Sequence, residues 1–153
     1  MSAASRSPAL LVTFALALGS AGAGWAVDVA GLTRLNGSEV APGDLPEDAI
    51  VIFFATWSPR CRGIVARFKE IQERWGDSAT VLLVDFQEDR SAVEKFLNGK
   101  VPGSKVFLDR RAVFSKSSGI TSLPGLLAVK DGTPAFRGKL PADVDSVLRP
   151  IFE

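Results

Sequence analysis

Two apolar runs dominate the hydrophobic pattern of the chain. Residues 49–55 are wholly apolar, and residues 81–86 contain a single charged side chain, Asp85. Runs of this length without alternation are typical of β-strands that are buried on both faces. Residues 106–109 predict a third, shorter strand. The pattern therefore predicts a sheet whose interior strands are covered on each side.

A helical period begins soon after the first run. Ser58 is a good N-cap, Pro59 suits the first helical position, and Gly76 suits the end of the helix. The intervening apolar residues recur at three- and four-residue steps, with charged and amide side chains in the gaps: Ile64, Val65, Phe68, Ile71 and Trp75. The spacing predicts one amphipathic helix directly after the first strand.

The second half of the chain alternates shorter elements. Helices are predicted over residues 91–97 and 112–117, on either side of the strand at 106–109. A β-hairpin is predicted over residues 126–137, because the sequence Asp131-Gly132 favours a tight turn. The last predicted helix presents an apolar side, which consists of Val144, Val147 and Leu148.

The segment before the first strand has a different composition. Residues 27–49 are rich in glycine, proline and acidic residues, and Asn36-Gly37 is a turn signal. This composition predicts a short hairpin or an irregular lead-in. Strands that alternate with helices, followed by a hairpin and a helix, predict one α/β domain over residues 27–153. We expect a central mixed β-sheet flanked by helices.

The first 26 residues have the layout of a secretory signal peptide. Arg6 supplies a positive charge, residues 9–18 are apolar, and small residues follow, so that cleavage after Ala23 or Ala26 fits. We therefore expect export to the periplasm or another compartment outside the cytoplasm. The alternative is a retained membrane anchor with the domain facing the periplasm, because no charged residue lies between Arg6 and Asp28. Contact with a membrane is expected only in that case.

Composition removes several classes of chemistry. The 153 residues include no histidine, one cysteine and one methionine. The chain therefore has few ligands for a soft metal and lacks the commonest general base. A single cysteine also excludes an intramolecular disulfide and a C-x-x-C pair. The net charge of +1 argues against a nucleic-acid binder held by a broad basic field. We therefore expect no metal, no cofactor and no nucleic-acid partner.

Two short segments contain the residues that suggest a specific chemistry. Residues 55–61, Ala-Thr-Trp-Ser-Pro-Arg-Cys, join the first strand to the first helix, and Ser122-Leu123-Pro124 stands immediately before the hairpin. Here the chain resembles the thioredoxin superfamily, specifically its exported TlpA/ResA type, which acts in cytochrome maturation and disulfide reduction. The resemblance implies a thioredoxin-like fold in which Pro124 is cis and faces residues 57–61.

The chain departs from that family at the reactive position. Ser58 stands where the attacking cysteine of the family belongs, and Cys61 takes the place of the second, resolving cysteine. Dithiol exchange needs both sulfurs, and a serine hydroxyl does not replace a thiolate at neutral pH without a strong base. Ile52 also replaces the buried acid that thioredoxins carry six residues before the motif. A conventional dithiol–disulfide oxidoreductase is therefore not expected.

Cys61 has two interpretations, and the sequence leaves both open. In the first turn of a helix and between Arg60 and Arg62, it is a thiol suited to form mixed disulfides. On the apolar side of the same helix, it is a small residue that fills space in the core. The Ser-x-x-Cys spacing also resembles the Thr/Ser-x-x-Cys of peroxiredoxins, although Phe54 replaces the proline of that motif.

The function expected from these residues is binding rather than turnover. A groove would receive an extended or cysteine-bearing segment of another exported protein, in an accessory role in redox-protein or cytochrome maturation. Covalent capture by Cys61, or a dimer linked through Cys61, extends this interpretation. The alternative is a single-thiol redox enzyme, which uses Cys61 as its catalytic residue with an external thiol or a peroxide. The residues expected to contact the partner are Trp57, Ser58, Pro59, Arg60, Ser122, Leu123 and Pro124.

Overall fold

The structure is a computed structural model that describes residues 27–153. The predicted signal peptide at residues 1–26 lies outside the described residues. Three single-turn 3-10 helices occupy connections, at Pro42–Asp44, Pro59–Cys61 and Gly103–Lys105. The strands and α-helices follow the predicted order, and their bounds are Leu32–Arg34 (β1), Ala49–Phe54 (β2), Ile64–Trp75 (α1), Thr80–Phe86 (β3), Arg90–Leu97 (α2), Val106–Asp109 (β4), Val113–Ser117 (α3), Gly125–Lys130 (β5), Thr133–Lys139 (β6) and Asp145–Phe152 (α4).

The strands form one mixed sheet in the order β1-β4-β3-β2-β5-β6. β2, β3 and β4 are parallel to one another, and each crossover between them contains a helix. β1 pairs antiparallel with β4, β5 pairs antiparallel with β2, and β6 pairs antiparallel with β5. The predicted α/β class, with a central mixed sheet flanked by helices, is confirmed.

Two hydrophobic clusters cover the two faces of the sheet. In β2, Ile52 packs in the cluster that includes residues of α1, α2 and α4, whereas the next residue, Phe53, packs in the cluster that includes α3 and the lead-in. Every residue of β2 is 0% exposed, as the continuous apolar run predicts. Both faces of the sheet are therefore covered.

The α1 helix begins later than the sequence pattern predicts. Pro59–Cys61 forms a 3-10 turn, Gly63 is the N-cap of α1, and α-helical structure starts at Ile64. Ser58 does cap the 3-10 turn by position, but its side chain makes no capping hydrogen bond. The apolar period does not separate the two helix types, because residues three apart, such as Cys61 and Ile64, share a side in both.

The edges of the sheet are short or interrupted. β1 has three residues. β6 contains Pro134, which has no N–H group to donate, and its Arg137 and Lys139 side chains are exposed. A register shift between Ala128 and Val129 makes the β5–β6 ladder irregular. The ladder therefore ends on this side in an irregular, charged strand.

Candidate functional site

An open cleft lies where β2 and β3 end. Its volume is about 380 Å³, and it brings the two predicted site segments together, since one wall follows β2 and another precedes β5. We call it the Trp57 cleft and define it by its lining residues, which are Trp57, Ser58, Arg60, Phe86, Ile120, Thr121, Ser122 and Leu123.

Trp57 is the most exposed apolar side chain of the cleft. It is 63% exposed, so most of the indole surface remains in water rather than packed against the helix. Phe86, Ile120 and Leu123 are half-buried on the other walls. An exposed tryptophan beside partly buried apolar residues is typical of a binding surface, because water leaves such a surface at low cost.

The loop that ends at Pro124 offers unpaired backbone groups to this cleft. The Leu123–Pro124 peptide bond is cis, and the Pro124 carbonyl accepts a hydrogen bond from the Leu140 N–H at 3.0 Å. The N–H and carbonyl groups of Leu123 make no hydrogen bond to another residue within 27–153. Leu123 therefore combines a side chain in the cleft wall with free groups for backbone pairing.

Three predicted site residues do not line the Trp57 cleft. Pro59 is exposed outside it, and Pro124 is half-buried behind Leu123. Cys61 is 0% exposed and packs with residues of α1, including Ile64. The structure thus places the sulfur in the hydrophobic core, which agrees with the space-filling interpretation and leaves the candidate catalytic thiol without access to the cleft.

The architecture matches several solved structures closely enough to decide the fold. A thioredoxin-like protein from Aeropyrum pernix superposes with a TM-score of 0.65 at 16% identity, covering 78% of this chain and 88% of that chain. A secreted Mycobacterium tuberculosis disulfide oxidoreductase homologous to Escherichia coli DsbE gives 0.62 at 17% identity, covering 78% and 91%. This chain has the thioredoxin-like fold.

Two further comparisons concern the same thioredoxin-like domain. The pneumococcal exposed lipoprotein thioredoxin Etrx1 from Streptococcus pneumoniae superposes with a TM-score of 0.62 at 19% identity, covering 78% of this chain and 95% of that chain. In sequence, the chain is 29% identical over 116 residues to tryparedoxin of Trypanosoma brucei brucei, covering 71% of this chain and 80% of tryparedoxin. No protein-family model matches the chain. The fold expected from residues 55–61 and 122–124 is confirmed.

The burial of Cys61 predicts a protected thiol in this thioredoxin-like domain. We expect alkylation by iodoacetamide to be at least about a hundredfold slower in the folded chain than in the chain denatured in guanidinium chloride, because the sulfur reacts only after local opening. The protection should persist from pH 7 to pH 9. A folded chain that reacts as fast as the denatured chain would contradict the buried placement and restore Cys61 as a reactive group.

Glu88 anchors the motif loop of the domain. Its carboxylate oxygens accept hydrogen bonds from the Thr56 N–H, at 2.8 Å, and from the Thr56 hydroxyl. Burial acts to raise the pKa of Glu88, but the neighbouring Asp85 carboxyl and the hydrogen bonds from Thr56 outweigh it, so the pKa lies below its ordinary value. Glu88 is therefore a carboxylate that fixes the backbone of Thr56, the residue directly before Trp57.

Asp85 lies beneath this anchor with almost no access to water. It is 0% exposed, and its Oδ1 accepts a hydrogen bond from the Glu88 N–H at 3.1 Å. Burial raises the pKa of Asp85 to about 9, with further contributions from Glu88 and from the charge of Asp109. At neutral pH the Asp85 carboxyl is therefore protonated, and its Oδ2 has no hydrogen-bond partner among residues 27–153. We call Asp85 and Glu88 the carboxyl pair.

Sequence reasoning missed several residues of this site. Phe86, Ile120 and Thr121 line the Trp57 cleft without belonging to a motif, and a charged loop at 88–90 would ordinarily be expected to be exposed. Glu88 contradicts that expectation, because it is half-buried against Thr56, 32 residues earlier. One feature of the sequence indicated the carboxyl pair: Asp85 is a charged residue near the end of an otherwise apolar run.

Two searches of the described residues gave negative results. Over residues 27–153, no three histidine, cysteine, aspartate or glutamate side chains gather in a way that could hold a metal ion. Within the same residues, no helix is both long enough and apolar enough to cross a membrane.

Proposed function

We propose that this thioredoxin-like domain binds an extended segment of another exported protein in the Trp57 cleft, without a covalent bond to it. One observation carries the proposal: a tryptophan that is 63% exposed walls an open cleft, while the one cysteine of the chain is fully buried. Apolar side chains of the segment would pack on Trp57. Its backbone would pair with the free groups of Leu123, as in strand addition.

The proposed setting is an exported one. It rests on the signal-peptide layout of the first 26 residues and is supported by the similarity to a secreted Mycobacterium tuberculosis protein and to an exposed pneumococcal lipoprotein. The first of these is described as a disulfide oxidoreductase. By analogy, the partner proposed here is a protein undergoing redox or cofactor maturation, and a cysteine-bearing segment lies within the proposal.

A single-thiol redox enzyme is the rival function. It requires a sulfur that meets a thiol or a peroxide, and Cys61 is 0% exposed. It also requires a base or a positive environment at the sulfur, whereas Cys61 is surrounded by hydrophobic core residues such as Ile64 and Phe68. The geometry therefore favours binding over turnover.

Binding can be measured with a defined peptide. The probe is an acetylated, amidated octapeptide with leucine and valine at its centre and serine and glutamine elsewhere, titrated into the isotope-labelled domain. We expect amide shifts at Leu123 and Thr121 and a dissociation constant in the micromolar to millimolar range. Trp57→Ala should weaken binding about fivefold or more, because a large apolar contact is lost.

Cys61→Ala separates the two functions. Under the binding proposal its peptide affinity stays within about twofold of the unsubstituted chain, since Cys61 does not line the cleft. Reduction of hydrogen peroxide or of a small disulfide that is lost in Cys61→Ala, with the fold intact by its amide spectrum, would favour the single-thiol enzyme. Peptide-induced shifts confined to other surfaces would contradict the assignment of the Trp57 cleft.

A further inference from the structure

The rim of the Trp57 cleft carries an excess of positive charge. Arg60 lines the cleft, and Arg62 is exposed two residues later. The Arg137 side chain lies against Gly119, with its Cδ 2.9 Å from where a Cβ of Gly119 would stand. Gly119 immediately precedes Ile120 of the cleft wall. Cationic side chains therefore lie in or next to both wall segments of the cleft, residues 57–60 and 120–123.

These cations have no partner among the described residues. Arg60, Arg62 and Arg137 take part in none of the ion pairs or side-chain hydrogen bonds within residues 27–153. Lys139, which pairs with Gly125 in the β-ladder next to Pro124, is also exposed and without an ion pair there. Guanidinium groups that are free in this way can bind a carboxylate of another molecule without first losing an internal one.

The acidic residues near the cleft already bond to other residues of the domain. Among residues 27–153, no carboxylate lines the Trp57 cleft. Glu88, two residues beyond Phe86, is hydrogen-bonded to Thr56, and Asp89 forms an ion pair with Arg110. Residues 27–153 contain as many acidic as basic residues, with 17 basic residues once Arg6 is removed from 18 and with 17 acidic ones. The positive rim is therefore a local asymmetry rather than a property of the whole chain.

We propose that the Trp57 cleft selects extended segments in which an acidic side chain lies next to an apolar one. The proposal rests on the proposed function, because it names the chemistry of the segment that the same cleft would bind. The apolar side chain would pack on Trp57 and Leu123. The carboxylate would contact the guanidinium group of Arg60 or of Arg137. Such exposed charge contacts each change affinity by up to about fivefold, and salt weakens them.

Three matched peptides test the charge selection. The octapeptide described above is compared with one in which two outer glutamines are glutamates and with one in which they are lysines, each at 50 mM and 500 mM sodium chloride. We expect the glutamate peptide to bind about three- to twentyfold more tightly than the glutamine peptide at low salt. The lysine peptide should bind most weakly, and the three affinities should converge at high salt.

Two charge variants test whether Arg60 causes the preference for the glutamate peptide. Arg60→Gln should bring the glutamate-to-glutamine affinity ratio closer to one, whereas Lys69→Gln, an equal charge change at an exposed position of α1, should leave the ratio unchanged. Equal affinities for the glutamate and glutamine peptides would overturn the charge selection while the proposed function stands. Tighter binding of the lysine peptide would overturn it in the same way. If no peptide binds at the cleft, the proposed function fails as well.

Discussion

Asp85→Asn is expected to stabilise the domain at pH 8, by at least about 2 kcal/mol in the free energy of unfolding. In the unfolded chain an aspartate ionises near pH 4, whereas burial raises the pKa of Asp85 in the folded chain to about 9. Between these values the folded state retains a proton that the unfolded state releases. Raising the pH therefore favours unfolding, and a neutral asparagine abolishes this contribution.

The pH dependence makes this prediction specific. Asparagine retains an oxygen for the Glu88 N–H and can donate its amide to the Glu88 carboxylate. Urea denaturation from pH 5 to pH 9 should show the stability advantage of Asp85→Asn growing by up to about 1 kcal/mol per pH unit. Asp77→Asn, at an exposed position, is the matched control and should show no such trend. A constant or shrinking advantage would mean that Asp85 is ionised in the folded chain at neutral pH.

Glu88→Ala is expected to release the motif loop from the sheet. The substitution removes the acceptors of the Thr56 N–H and hydroxyl. Loss of a charged acceptor from partly buried donors should lower the free energy of unfolding by about 2 kcal/mol. Because Glu88 holds the backbone of Thr56, the residue directly before Trp57, peptide affinity should fall severalfold.

Hydrogen exchange distinguishes this local release from general destabilisation. In Glu88→Ala, the amides of Thr56 and Trp57 should exchange much faster at a pH where the α1 amides stay protected. Glu88→Gln, which retains one acceptor oxygen, should lie between Glu88→Ala and the unsubstituted chain. Glu73→Ala, at an exposed position of α1, should change neither exchange nor affinity. Uniformly faster exchange throughout the domain would contradict the assignment of Glu88 as the anchor of this loop.

The parts of the fold that sequence could predict are those that depend on near neighbours. The wholly apolar run of β2 indicates burial on both faces, and Asp131-Gly132 indicates a hairpin because both residues accept positive φ, here 51° and 75°. The boundary between the 3-10 turn and α1 was not predictable in the same way. Cys61 and Ile64 give the same apolar spacing in either helix type, so the pattern does not indicate whether a 3-10 turn or an α-helix forms.

The site was predictable only where a motif marked it. Trp57, Ser58 and Leu123 were found through their resemblance to a known constellation, and they do meet at one cleft. Glu88 could not be found, because its partner Thr56 lies 32 residues away and the sequence around Glu88 is typical of a solvated loop. Asp85 was visible as a charge in a buried strand, but its protonation depends on Glu88 and on a burial that only the folded sheet provides.

The irregular β6 strand has a consequence for how the domain behaves at high concentration. Open sheet edges are the usual starting points for intermolecular β-structure, and here Pro134, Arg137 and Lys139 interrupt that edge, while β1 is only three residues long. Growth of a fibril by stacking domains edge to edge is therefore disfavoured at both ends of the sheet. A chain of this design can expose the unpaired backbone of Leu123 to partners without exposing a whole strand to copies of itself.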